Sequence, residues 1–264
     1  MPAMPNIYFN KQGAYYLNSH FEGCRKLKTI PEDYFYVKNE NGMVDLNTPI
    51  LSSSANFNFT SLFCDCYSLR NLPKLPFDIP DNKSPYFGYM FFECFVLDKI
   101  EDFLVPLKMT SSSFNRTFWY CSRLNNFTFK TNSDGTPKTV NWSNQTIDLT
   151  KNVGYAYDYT LITGYNSGIT ADKRVSDDAT YQALKDDPDY WTTDINYSRY
   201  NHNSAVRTIN SLPDTSAYLA TAGGTNTIQF SGASGASTDG GAINTLTEEE
   251  IAVATAKGWT VSLV

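Results

Sequence analysis

One spacing of apolar positions recurs four times in the first half of this 264-residue chain. An apolar residue is followed by Phe four positions on, Cys three further, Leu three further, and Ile, Leu or Phe three after that. The copies are Leu17, Phe21, Cys24, Leu27, Ile30, then Phe59, Phe63, Cys66, Leu69, Leu72. They continue as Phe87, Phe91, Cys94, Leu97, Ile100 and as Phe114, Phe118, Cys121, Leu124, Phe127. Their cysteines stand 42, 28 and 27 residues apart. Steps of 4, 3 and 3 keep one apolar face over a helical turn or two. Periods of this size mean stacked supersecondary units, none able to bury its apolar face alone. In the first two copies the chain then meets proline, at Ile30-Pro31 and at Leu72-Pro73 with Leu75-Pro76. Proline ends a helix and favours an extended continuation. Each unit therefore reads as short helix, turn and short strand. The strands are expected to stack as a narrow parallel sheet in an α/β solenoid covering residues 1–130. The extra residues between the first two copies, roughly 33–54, read as a loop or hairpin on one face.

Residues 131–200 lose the repeat and read as an irregular insertion rich in Tyr and Asp. Asn132 to Pro137 is a turn. Alternating Tyr155, Tyr157 and Tyr159 argue for a strand. Ser176 followed by Asp177 and Asp178 reads as a helix start. Helix–strand units return over 201–264. A helix from Asn203 is stopped at Leu212-Pro213, and Asn226 to Phe230 is a strand. A second helix is capped by Thr247, carries Glu248 to Glu250 in its first turn and ends at Gly258. Trp259 to Val264 is the last strand and is expected to cap the sheet. Ile228 and Val261 lie one period of 33 apart.

Composition narrows the function classes. Charged residues make up 18% of the chain, and Asn, Ser and Thr carry the polar balance beside 18 Tyr and 17 Phe. Such surfaces suit extracellular or particle-bound proteins that meet glycans or other proteins. The net charge is −6 and the strongest basic run is Arg25-Lys26-Leu27-Lys28, so nucleic-acid binding through phosphates has little support. Five cysteines argue against a complete disulfide framework. Four sit in the repeat register as small buried hydrophobes, and Cys64 is the odd one out. There is no Cys-x-x-Cys, and His20 and His202 are far from ligand-like spacing, so no metal and no cofactor is expected. No signal peptide and no 18-residue apolar run is visible, so no membrane insertion is expected.

The motif Phe-x-x-Cys-x-x-Leu-x-x-Ile/Leu-Pro resembles the BspA-like leucine-rich repeat of Bacteroidales surface proteins and some protist surface proteins. Phe21 to Pro31 and Phe63 to Pro73 match in full. Phe118 to Phe127 follows closely without the proline, and Phe91 to Ile100 more loosely, with Phe95-Val96 where polar residues are usual. The segment Leu246 to Val261 resembles the last unit of such proteins in gut bacteria and their phages. The repeat regions that contain these stretches, about 14–130 and 201–264, cover about two-thirds of the chain. The resemblance implies a leucine-rich-repeat-like solenoid that binds host surfaces, matrix or receptors, with no shared catalytic residue. With no export signal in view, the expected protein is a phage virion component, tail, fibre or decoration, acting in adhesion or particle architecture at the virion surface. The alternative is a secreted bacterial adhesin for host proteins or glycans. A homo-oligomer is compatible with either.

Enzymatic chemistry has weak candidates. A glycan-cleaving virion enzyme needs paired carboxylates. Asp172, Asp177, Asp178, Asp186, Asp187 and Asp189 are dense, but helix capping and a solvated loop account for them. A calcium loop of alternating acids is not present. No Gly-x-Ser-x-Gly, His-Glu-x-x-His or phosphate-binding loop occurs, so no catalytic residue is expected. Ser231 to Ser237 reads as a flexible Gly/Ser loop. The binding candidates are the aromatics of the insertion, Tyr155, Tyr157, Tyr159, Tyr165, Tyr190, Trp191, Tyr197 and Tyr200, which offer large contact area at low entropy cost. Seven Asn-x-Ser/Thr sequons, at Asn58, Asn82, Asn115, Asn126, Asn141, Asn144 and Asn196, follow from an Asn-rich composition.

Overall fold

The computed structural model describes residues 9–150, apart from 10, 71, 111, 122 and 123, together with residues 201–230 and 245–264. Over these residues the protein is a mixed α/β structure with three small sheets and three helices, and no sheet closes into a barrel.

The four apolar copies occupy equivalent places. Of their twenty register positions, all are buried except Cys24, Leu27 and Leu72, and the two leucines still pack against the core. Phe21, Phe63, Phe91 and Phe118 form one column of near-parallel rings, with centroids 5.5, 5.6 and 6.1 Å apart. Phe59, Phe87 and Phe114 form a second, at 5.5 and 5.7 Å. Phe103 lies among both columns.

Among the described residues of these copies the expected short helices are absent, and successive tight turns stand in their place. Within the first copy every second amide donates three residues back: His20 to Leu17, Glu22 to Ser19, Cys24 to Phe21. The amides between them donate to the next copy instead: Ser19 to Thr60, Phe21 to Leu62, Gly23 to Cys64. Copy two repeats this toward copy three through Ser61, Phe63 and Asp65, and copy three toward copy four through Tyr89, Phe91 and Glu93, all at 2.8–3.1 Å. To turn alternate amides outward, each copy puts two residues in the left-handed region, two before and two after its central Phe. Ser19, Ser61, Tyr89 and Arg116 hold the first place, and Gly23, Asp65, Glu93 and Tyr120 the second, at φ +53° to +73°. An α-helix would direct all these amides along its own axis and leave the copies unjoined. The residues agree with the turns: stretches such as Phe-Gly-Tyr-Met-Phe-Phe-Glu-Cys hold mostly weak helix formers.

After each turn region the chain extends. β1 (Tyr36–Lys38) and β2 (Val44–Pro49) pair antiparallel, so the excursion after the first copy is a hairpin. β3 (Lys99–Phe103) and β4 (Asn126–Phe129) pair parallel, Ile100 beside Phe127. β5 (Thr146–Asp148), β6 (Asn226–Phe230) and β7 (Trp259–Leu263) form a parallel sheet in that order. Ile147, Ile228 and Val261 lie side by side there, as the period of 33 requires for the last two.

Real helices cover this second part. α1 (His202–Ser211) starts on Asn201, whose Oδ1 accepts from the Ser204 amide at 3.0 Å. It is tied to β4 by Thr208 Oγ1, which donates to the Phe127 carbonyl at 2.6 Å. Lys257 Nζ donates to the carbonyls of Ile209 and Asn210 at 2.9 and 2.7 Å and so closes the open end of α1. α2 (Ser216–Ala222) has no counterpart in the sequence pattern. α3 (Glu248–Ala256) begins with the Thr247/Glu250 capping box and ends before Gly258, at φ +82°. Two buried tryptophans anchor the junction of the parts. Trp142 Nε1 donates to the Pro106 carbonyl and Trp259 Nε1 to the Pro213 carbonyl, with the rings 6.3 Å apart.

Candidate functional site

The aromatics singled out in sequence, Tyr155, Tyr157, Tyr159, Tyr165, Tyr190, Trp191, Tyr197 and Tyr200, lie outside the described residues. So do the acids from Asp172 to Asp189, the helix start at Ser176 and the Gly/Ser loop at 231–237. Three other places carry chemistry.

The first is the cysteine row. Cys66, Cys94 and Cys121 are fully buried, and each thiol points to the preceding copy: to the carbonyls of Phe21, Phe63 and Phe91, all at 3.1 Å. Cysteine is thus a small apolar residue with a weak donor that meets a carbonyl the turns leave half-satisfied. Burial pushes all three thiols up, away from the reactive thiolate. Cys64 is buried with its Sγ 3.4 Å from Asp65 Oδ1, and burial followed by the Asp65 charge pushes it up as well. Cys24 departs from the expectation of a buried thiol. It belongs to the first of the four copies and is exposed. All five cysteines are free. Among the described residues no three His, Cys, Asp or Glu side chains gather as metal ligands.

The second is an aromatic–cationic cluster on the turns of copies three and four. The Arg116 guanidinium lies over Trp119, 4.6 Å from its centroid, and 5.7 Å from that of Tyr89. Trp119 Nε1 donates to Asp148 Oδ2 at 3.0 Å. Arg116 sits at a left-handed position, which throws its side chain out of the stack between two aromatic neighbours. Sequence reading missed this cluster because its members fall between the apolar register positions.

The third is a cleft of about 210 Å³ between the extended segments of copies two, three and four. Its origin is legible in the chain. Residues 72–80 hold Pro73, Pro76 and Pro80, which have no amide hydrogen to donate. Among the described residues no backbone hydrogen bond joins 72–80 to 103–109, although β3 and β4 alongside are laddered. The two segments stand apart and leave Phe77, Leu104 and Val140 as an apolar floor. Asp78 and Asp81 line one side, and Lys130 and Lys138 the other. Lys130 Nζ reaches Asp78 Oδ1 at 3.5 Å, with 94% of the Asp78 side chain exposed, so that bridge is weak.

His20 and Tyr34 make a further polar contact, Nε2 to Oη at 2.7 Å, inside an aromatic group with Phe9 and Phe21. Burial lowers the His20 ring and raises the Tyr34 hydroxyl to about 12, with a lesser contribution from Cys24. The pair is therefore neutral near pH 7 and reads as packing.

No family model, curated protein or solved structure gives a significant match to the chain. No helix among the described residues is long and apolar enough to cross a membrane.

Proposed function

We propose that the protein is a non-enzymatic virion component of a phage, of tail, fibre or decoration type, built on a BspA-like repeat solenoid. In this reading it serves adhesion to a host surface or particle architecture. The observation that carries the solenoid is the identical bonding of consecutive copies: the same alternate amides, the same ring columns and the same thiol-to-carbonyl bond from one copy to the next. Units that bond only to their neighbours give a rigid lateral surface with side chains at fixed intervals. The turn cluster of Tyr89, Arg116 and Trp119 and the cleft beside Leu104 both sit on that surface, which supports binding rather than turnover.

The α3–β7 unit resembles the final units of such proteins in gut bacteria and in their phages alike, and so fits both readings. One feature favours a particle over an exported adhesin. All five thiols are free, which fits assembly in a reducing cytoplasm better than passage through an oxidising compartment. Mass spectrometry of purified particles, with copy number, tests the reading. The chain is expected in virions, and a low copy number indicates a tail or fibre. Its absence from particles together with its presence on bacterial envelopes overturns the proposal in favour of the adhesin.

A further inference from the structure

The cleft between copies two and four has a property that surface dents lack: its walls are backbone with unused hydrogen-bonding groups. Among the described residues the amides of Phe77, Asp78, Ile79, Leu104 and Val105 donate to no protein group, and their carbonyls accept from none. Phe77 and Leu104 are themselves buried, so these groups are poorly placed to be left unpaired. Pro73, Pro76 and Pro80 remove three donors from 72–80 and so weaken any ladder with the neighbouring segment, while the amides of 77–79 remain to donate. The outer side of the cleft is fixed. Val140 donates to the Asp214 carbonyl and Asn141 to that of Leu107, at 2.9 and 2.8 Å, so residues 138–141 cannot shift inward to fill the space.

Charge defines the occupant further. Beside the weak Asp78–Lys130 bridge, the side chains of Asp81 and Lys138 have no ion pair or hydrogen bond among the described residues. The cleft thus offers one unpaired charge of each sign on opposite sides of an apolar floor, flanked by open backbone. Its volume holds about seven waters, or one large aliphatic side chain with its backbone.

We propose that this cleft docks an extended peptide segment of a protein partner, which adds as a strand to the open backbone of residues 77–79 and 104–105. Its central apolar side chain rests on Leu104 and Val140, an acidic side chain faces Lys138, and a basic one faces Asp81. Strand addition draws affinity from main-chain hydrogen bonds and specificity from the pocket for alternate side chains. The proposal goes beyond the virion reading and holds in either biological setting.

The test uses the full chain and a displayed library of random heptapeptides. Panning is expected to enrich peptides with an apolar residue between opposite charges. In fluorescence anisotropy these should bind Val105→Trp, which fills the cleft, at least tenfold more weakly than the parent chain. Lys138→Glu should weaken peptides with the acidic residue at least threefold, and pairing it with a charge-reversed peptide should restore the loss. Should Val105→Trp lose its fold by circular dichroism, the surface changes Lys138→Glu and Asp81→Lys carry the test alone. Three results overturn the proposal: no enriched peptide, enriched peptides indifferent to all three substitutions, or free leucine or lysine competing as well as the peptides do. None of these bears on whether the chain is found in virions, so the two readings fail separately.

Discussion

The turn-built copies at 17–127 and the helix-covered units at 201–264 solve one problem in two ways. Both must bury a repeating apolar face and pass hydrogen bonds to a neighbour. In the first region the turns themselves carry the inter-unit bonds, because every second amide leaves its own copy. In the second, the strands β5 to β7 carry them and the helices are coverings, closed by caps at Asn201 and Thr247 and by Lys257. The difference teaches that apolar spacing fixes which residues face inward, while amide economy and local propensity decide what the backbone does between them.

Breaking the core of the turn-built region should have the largest effect. Phe91 is fully buried between Phe63 and Phe118, so Phe91→Ala should cost roughly 3–5 kcal/mol in urea unfolding. A loss below half a kcal/mol would remove the ring column as a source of stability.

The glycines separate the regions next. A Cβ on Gly258 would lie 2.6 Å from Thr215 Oγ1 and 3.2 Å from the Ser216 amide, at φ +82°. Gly258→Ala should therefore cost roughly 2–5 kcal/mol, combining left-handed strain with overpacking. Gly23, at φ +73°, meets nothing within 4 Å, and Gly23→Ala should cost only about 1–2 kcal/mol. Equal losses at the two sites would mean that backbone conformation alone matters at both.

Much of this was legible in the chain. The register predicted twenty inward positions, of which seventeen are buried, and the Thr247 cap, the proline stop and the pairing of Ile228 with Val261 followed from local rules. Cys24 is exposed although it holds the register position of the three buried thiols, a difference that spacing within one copy does not reveal. The turns were not legible, because steps of 4, 3 and 3 suit a helix and a train of tight turns equally, and left-handed φ falls on Ser, Asp, Tyr, Glu and Arg as well as Gly. α2 escaped because it is seven residues long with no buried face, and its start leans on Asp214, whose Oδ1 accepts from the Ser216 amide. The cleft left a trace in the three prolines of 72–80, but its depth depends on chain brought in from copies three and four.

Caps sharpen the comparison at smaller scale. Thr247→Ala removes the side-chain acceptor for the Glu250 amide and should cost about 1 kcal/mol, with loss of helical signal confined to α3. Among the described residues of copies one to four no single hydroxyl holds a helix this way, so an equal loss of helical signal from Ser61→Ala would contradict the turn assignment.

The smallest effect is a pH dependence at the start of α3. Glu250 Oε2 accepts from the Thr247 amide at 2.8 Å, and Oε1 lies 3.0 Å from His202 Nε2. The Thr247 amide chiefly, and then His202, hold the Glu250 carboxyl below its ordinary 4.5. A carboxyl lowered on folding adds stability that is full above its unfolded value and fades as pH falls through the folded one. Glu250→Gln keeps the shape and hydrogen-bonding reach of a capping box while removing the charge. The stability gap between parent and variant should thus shrink as pH falls below Glu250's ordinary value of 4.5. A gap that persists unchanged to pH 3 would assign the contact to geometry rather than charge, and the N-terminal cap of α3 would then be held as the turns are, by neutral hydrogen bonds.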